Sequence, residues 1–508
     1  MKALTMNSLL RPVRISSVLL AALLALAGCS VAPTYERPSV DTPAAFKEAA
    51  PGQDGSQWKT ARPAEDITRG EWWKIFGDDS LDSLEQRAQH ANFDLKAAAA
   101  RLGQARALTR DARSAYFPQV DAGLGATRQR PSPASQGLAA DADTRPSTLY
   151  RAQLGVSYEV DLFGRVSSNV DAATADAQRS EALFHSVLLA LQADVAQQYF
   201  QVRELDAALE LYRGTVELRG QSLKLVQRRF DEGDISEVDV ARAKSELASA
   251  QSEALGIARQ RATAEHALAI LLGSTPAEFS LPARPLSRIT IDVPAGLPST
   301  LLERRPDIAA AERAMAAANA RVGVAKSAFF PSLNLTGGLG YESAQLGDLF
   351  NWSSRTFLLG PLVGTALSMP LFDGGRRQAG VDRARASYEE QVATYRGTVL
   401  NAFREVEDNL ANLRILGDQN RAQDEAVAAS ARAAKLSHVQ YREGSVSYFG
   451  VIDADRTVLQ QQRVSVQLDG ERARSTVNLI RALGGGWGPV AAPTSAPETR
   501  LSQADDRK

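Results

Sequence analysis

The 508-residue chain carries 58 Lys and Arg against 59 Asp and Glu, a formal net charge of −1, which excludes a generally basic nucleic-acid surface. Its single cysteine excludes a disulfide framework, so stability must come from packing and assembly. Length alone would allow about three ordinary domains, but the second half of the chain echoes the first and argues for one body built from two repeats.

In chain order, Lys2, Arg11 and Arg14 precede an apolar run, 18–26, too short to span a bilayer and closed by small residues. This is the pattern of a secretory signal, assigned to 1–28. Its end, Leu26-Ala27-Gly28-Cys29, resembles a bacterial lipobox, which implies a covalent lipid on Cys29 and a lipidated linker over 29–70. Ser30 is similar to the residue that follows the cysteine in lipoproteins destined for the outer membrane.

The first repeat, 71–285, opens with a helix predicted at about 80–114. Strands are predicted at 119–128 and 149–163, separated by a Pro/Ser/Ala/Asp-rich loop, 131–146. In the second strand Tyr150, Ala152, Leu154, Val156, Tyr158, Val160 and Leu162 alternate with Arg151, Gln153, Ser157, Glu159 and Asp161. A half-buried soluble strand alternates in the same way but is usually about 5–6 residues long. The length here fits a tilted outer-membrane strand with its polar side on an aqueous lumen. Residues 165–213 then run for 49 positions without Gly or Pro, a rod of about 70 Å if helical. Helices are predicted at about 165–232 and 234–272.

The second repeat, 286–487, follows the same plan: a helix at 300–327, strands at 331–341 and 357–372, then helices at 376–443 and 445–483. Pro361 and Pro370 interrupt its last strand. An offset of 211 places Phe230 on Tyr441, Gly233 on Gly444, Ser236 on Ser447 and Gly273 on Gly484. The tail, 488–508, is expected to be disordered. No apolar stretch after the signal reaches the ~18–20 residues of a transmembrane helix, so any membrane crossing must use strands. Four strands cannot close a barrel, since a sheet in lipid must leave no open edge, so several chains must close one together. The number of chains is left open by this argument.

Each repeat carries a tip where its two long helices turn back, at 229–240 and 441–453. Gly233 and Gly444 are the expected reversal points, because glycine accepts positive φ. Ser236 and Ser447 are expected to cap the returning helices, with Asp239 favoured by the helix dipole. Chemistry is sparse elsewhere. His90, His185, His266 and His438 lie far apart without metal-ligand spacing, and no phosphate-binding or nucleophile motif is present. The sequence therefore assigns no catalytic residue, no metal and no cofactor beyond the lipid on Cys29.

Several motifs together resemble the TolC/OprM-like outer-membrane factors of tripartite export systems, in the lipoprotein (NodT-type) branch. They are Cys29 with 33–38 (PTYERP), 72–78 (WWKIFGD) with Leu81 and Leu84, 304–308 (RRPDI) with Glu312, 329–331 (FFP), and 370–376 (PLFDGGR). Ala32 stands where the branch usually has Gly. The resemblance implies a mostly α-helical, internally duplicated fold. Its homotrimer would form a 12-stranded β-barrel, four strands per chain, continued by a long periplasmic α-helical barrel with an α/β equatorial region. It also implies a location in the cell outer membrane, in contact with outer-membrane lipid and extending into the periplasm. Its partners would be a periplasmic adaptor and an inner-membrane transporter of RND type. Matched by position, Tyr441, Phe449, Asp453 and Arg456 fall on the periplasmic gate, although Gly450 departs from members with a second aspartate there. Arg229, Gly233, Ser236, Asp239, Gly444 and Ser447 fall on the tips where the adaptor docks. The function implied is a passive gated exit duct for small molecules. A duct for type I protein secretion, and a non-conducting trimeric scaffold or adhesin, remain as alternatives. Within the gate, Asp453 and Arg456 either hold the tips in register or form an ordinary i,i+3 surface pair.

Replacing the one thiol tests the anchor directly. Cys29→Ser should abolish incorporation of labelled fatty acid into the protein, and retained labelling would refute the lipobox.

Overall fold

The computed structural model describes residues 31–40, 42–43, 45–48, 71–289, 291, 304–359 and 367–485. Cys29, the signal and the C-terminal tail lie outside these residues. The chain divides into two compact units, one of Met1–Ser39, Ala100–Glu181 and Ala310–Gly397, the other of Val40–Ala99, Ala182–Ala309 and Thr398–Lys508.

Seven α-helices are described: α1 (Asp79–Ala91), α2 (Phe93–Ser114), α3 (Arg165–Asp231), α4 (Glu237–Leu271), α5 (Pro306–Ser327), α6 (Arg376–Arg442) and α7 (Tyr448–Ala482). The duplication is visible in their lengths, since α3 and α6 each have 67 residues and α4 and α7 each have 35. The helix expected over 80–114 is broken at Asn92. Its side chain accepts from the Leu95 N–H at 2.9 Å and donates to the Leu271 carbonyl at 3.0 Å, so a new helix start is capped there.

In the first unit, strands β1 (Gln119–Gln129), β2 (Ser147–Val160), β3 (Ser332–Ser343) and β4 (Arg355–Leu359) pair antiparallel in that order. A short β5 (Leu367–Ser368) pairs with β3 at Ser332 and Leu333. The last strand of the sequence reading thus comes in two pieces, with 360–366 and Pro361 outside the described residues. β2 stops at Val160 rather than 163 because Asp161 turns to start α3, accepting the Val166 and Ser167 N–H groups at 3.0 and 2.8 Å. Asp373 does the same for α6, accepting from Gly375 at 3.1 Å and Arg377 at 3.2 Å. Cross-strand partners share a face. One face carries rows such as Leu124–Ala152–Tyr341 and Ala122–Leu154–Leu339, and the other Gly123–Gln153–Gly340 and Gly125–Arg151–Glu342. Arg151 and Glu342 form an ion pair at 3.1 Å on the polar face. The apolar face is bare, with Leu124 82% and Phe357 78% exposed, far more than a water-soluble sheet leaves uncovered. No described helix is long and apolar enough to cross a membrane.

The N-terminal strap lies along α5 in the same unit. Asn319 donates to the Pro33 carbonyl at 2.9 Å, Tyr35 donates to Glu312 at 3.2 Å, and Arg37 donates to the Tyr395 hydroxyl at 3.0 Å. A Cβ on Gly323 would stand 2.8 Å from that of Ala32, so the strap needs glycine beneath it.

The second unit is built on a core of Trp72, Trp73, Leu81, Tyr199, Phe200, Val477 and Ile480. The segment linking the two repeats is stitched to the first hairpin by a buried carboxylate. Asp206 accepts from Arg203 at 3.1 Å, Arg261 at 2.6 Å and the Arg284 N–H at 3.0 Å. Arg288 then reaches the second hairpin, pairing with Asp424 at 2.7 Å and Asp469 at 3.0 Å. One short segment therefore ties both hairpins side by side.

Gly484 has φ +87°, and a Cβ there would lie 2.9 Å from the Arg304 backbone, whereas one on Gly233, φ +85°, meets nothing within 4 Å. Gly233→Ala should therefore cost only about 1–2 kcal/mol, the left-handed backbone penalty. Gly484→Ala should cost more and lower the melting temperature further; equal shifts would contradict this packing.

Candidate functional site: the paired helical tips

Both hairpins reverse through the same backbone device. At the first tip the Asp234 N–H donates to the Arg229 carbonyl at 2.8 Å and the Gly233 N–H to Phe230 at 2.9 Å. At the second, Ser445 donates to Gln440 at 2.9 Å and Gly444 to Tyr441 at 3.1 Å. This closure of a helix C-terminus requires a left-handed residue, which Gly233 and Gly444 supply at φ +85° and +77°. Ser236 and Ser447 stand at the N-caps of α4 and α7, but neither hydroxyl makes a capping bond. The expected side-chain cap is absent because the serine carbonyls take the N–H groups of Asp239 and Gly450 at 3.1 and 3.0 Å.

The two tips share one small core. Val226, Val240 and Ala243 of the first hairpin pack with Tyr441, Tyr448, Val451 and Ile452 of the second. The Tyr441 and Tyr448 rings lie 5.5 Å apart, and the Arg229 guanidinium sits over Tyr441 at 5.1 Å. Burial, reinforced by the neighbouring Tyr441, Asp455 and Glu246, pushes the Tyr448 hydroxyl up to about 12, so it stays neutral in ordinary media. The Tyr441 hydroxyl is buried and has no hydrogen-bond partner among the described residues. Phe449 is 55% exposed, with Arg242 over its ring at 5.6 Å.

A charge bridge links three helices just behind this core. Arg219 of α3 pairs with the Glu246 carboxylate at 3.0 Å and donates to the Glu246 carbonyl at 2.7 Å. Arg456 of α7 binds the other Glu246 oxygen. Within the second hairpin, His438 Nε2 meets Asp455 at 2.9 Å.

The sequence matches the model of the outer membrane efflux protein family twice, over residues 84–274 and 297–485. The chain belongs to this family. It is 35% identical over 476 residues to the outer membrane protein OprJ of Pseudomonas aeruginosa, covering 93% of this chain and 96% of OprJ. It is 36% identical over 470 residues to the solvent efflux pump outer membrane protein SrpC of Pseudomonas putida, covering 92% and 97%. The solved structure of the outer-membrane channel OprN superposes with a TM-score of 0.80 at 31% identity, over 90% of this chain and all of that one. As a member of the outer membrane efflux protein family, the chain is a transport component and not an enzyme.

Within this efflux protein, the residues expected at the gate fall together at the second tip, and those expected at the adaptor surface fall on both tips. Gly233, Ser236, Gly444 and Ser447 are exposed, whereas Arg229 is held on Tyr441 and Asp239 lies 3.7 Å from Arg242. Asp453 and Arg456 do not pair. Glu246 is buried and needs cations to offset its lost hydration, while exposed Asp453 is satisfied by water. Glu246 and Arg219 escaped the sequence reading, yet a signal was present. At the 211 offset they oppose Thr457 and Ser430, as Arg456 opposes Ser245, so all three bridge charges arise where the repeats diverge. Among the described residues, no group of three or more His, Cys, Asp or Glu could hold a metal ion.

Glu246→Gln keeps the shape of the bridge and removes its charge. If the bridge holds the tips closed, single-channel conductance should rise several-fold over the wild type; an unchanged closed-level current would make the bridge purely structural.

Proposed function

We propose that three copies of this protein close a 12-stranded barrel and form a passive, gated exit duct for small molecules. The observation that carries the proposal is the four-stranded sheet with a bare apolar face and, among the described residues, an unpaired edge on each side. In lipid such a sheet is tenable only when neighbouring copies pair with its edges. The helical hairpins extend the duct into the periplasm. Their tips receive a periplasmic adaptor, and an inner-membrane transporter of RND type supplies the energy. Relatives described as efflux pump components favour small molecules over secreted proteins as cargo, and SrpC, a solvent efflux component, points to apolar compounds.

The gate lies at the second tip. Three-fold symmetry triples each axial side chain, so three Phe449 rings narrow the aperture while the Asp453 carboxylates ring it. Arg456, through Glu246, holds α7 against the first hairpin. Tyr441, whose buried hydroxyl lacks a partner among the described residues, finds one across the interface between copies. The exposed residues Gly233, Ser236, Gly444 and Ser447, with Arg229 and Asp239 beside them, form the adaptor surface. Cys29 carries the lipid. Ala32, three residues on, rests against Gly323 in the last turns of α5.

Purified protein in planar bilayers tests the duct. Small, fluctuating currents are expected from the wild type and larger ones from Asp453→Ala and Arg456→Ala. No current from any of the three would sink the proposal.

A further inference from the structure

The apolar face of the sheet carries two charges, Arg355 and Arg128, that no described carboxylate offsets. Arg355 on β4 pairs in register with Tyr341, which pairs with Ala152, which pairs with Leu124. It therefore stands on the apolar face, in the cross-strand row of Leu124 and next to Phe357 on its own strand, and not with Arg151 and Gln153 on the polar one. Arg151 has Glu342 and Arg130 has Asp143 as ion-pair partners. Arg355 has no carboxylate partner among the described residues. Its guanidinium carbon instead sits 3.0 Å from the centroid of the Trp352 ring. Beside it the Tyr341 and Phe350 rings pack edge to face at 5.5 Å. Arg128, two rows further along on the same face of β1, is exposed and likewise has no carboxylate partner among the described residues.

These residues lie at the end of the sheet that carries the 130–146 and 344–354 loops, opposite the end where β2 leads into α3 and α5 into β3. In the duct reading, on which this inference rests, that end is the outer rim. An arginine facing lipid is costly at mid-membrane and becomes tolerable near the interface, where aromatic residues cluster and an anionic headgroup can meet it. A planar guanidinium backed by an indole ring leaves its N–H fork free to grip a phosphate with two parallel hydrogen bonds.

We propose that Arg355 on Trp352, together with Arg128, binds the phosphorylated headgroup of an outer-leaflet glycolipid. The test uses the full-length protein in detergent, titrated with diphosphorylated lipid A, fully dephosphorylated lipid A or inorganic phosphate, and read by native mass spectrometry. The wild type should bind the diphosphorylated form at least tenfold more tightly than the dephosphorylated one, and inorganic phosphate at millimolar concentration should not compete. Arg355→Ala should lose that preference, Arg128→Ala should reduce it, and Arg355→Lys should keep part of it. Equal binding of the two lipids by the wild type, or an unchanged preference in Arg355→Ala, would overturn the site. Trimers weakened by Arg355→Ala with the lipid preference intact would also overturn it, by assigning Arg355 to a contact between copies. Bilayer conductance of wild type and Arg355→Ala, recorded alongside, keeps the two readings apart. Normal currents without lipid discrimination overturn this site alone, whereas absent currents count against the duct.

Discussion

Everything in this protein depends on backbone hydrogen bonds that one chain cannot complete. β1 and β4 each have a single neighbour within the described sheet, so a row of N–H and C=O groups faces outward on both sides. Water would satisfy them, but the bare apolar face that the same strands present is fit only for lipid, where each unpaired group costs several kcal/mol. Copies of the chain resolve the conflict by pairing edge to edge. Closure by symmetry then fixes how the hairpins meet, because every residue near the axis is present once per copy.

Duplication builds the scaffold, and divergence makes it work. Equal helices of 67 and 35 residues, with the same glycine reversal at each tip, are what two copies of one unit should give. The departures cluster at the tips. Phe449 and Asp453 of the second repeat stand against Val238 and Arg242 of the first, and the Arg219–Glu246–Arg456 bridge has hydroxyl residues at its repeat-related positions. A buried carboxylate held by two arginines ties the two hairpins together with moderate strength. Losing one cation leaves Glu246 undercompensated, so drawing Arg456 away weakens the hold of α7 on the first hairpin without unfolding a helix. Partly exposed pairs such as Asp239–Arg242 contribute only about 0.2–1 kcal/mol each and adjust register more than they hold it.

Much of this was legible in the sequence because it rests on periodicity and on glycine. The alternation around Tyr150–Val160 placed β2, the Gly-free run placed α3, and the paired glycines placed both reversals to within a few residues. What escaped depends on side-chain competition for particular backbone groups. Asn92 splits a helix by capping its own successor, Asp161 ends a strand by capping the next helix, and Ser236 and Ser447 leave that task to their carbonyls. Glu246 escaped because an isolated glutamate on a long polar helix looks like any solvated residue until packing buries it between two arginines.

Light scattering on the detergent-solubilised protein, corrected for bound detergent, tests the requirement for copies most directly. The account predicts a protein mass of three chains that persists on dilution; a stable, correctly folded single chain would contradict it.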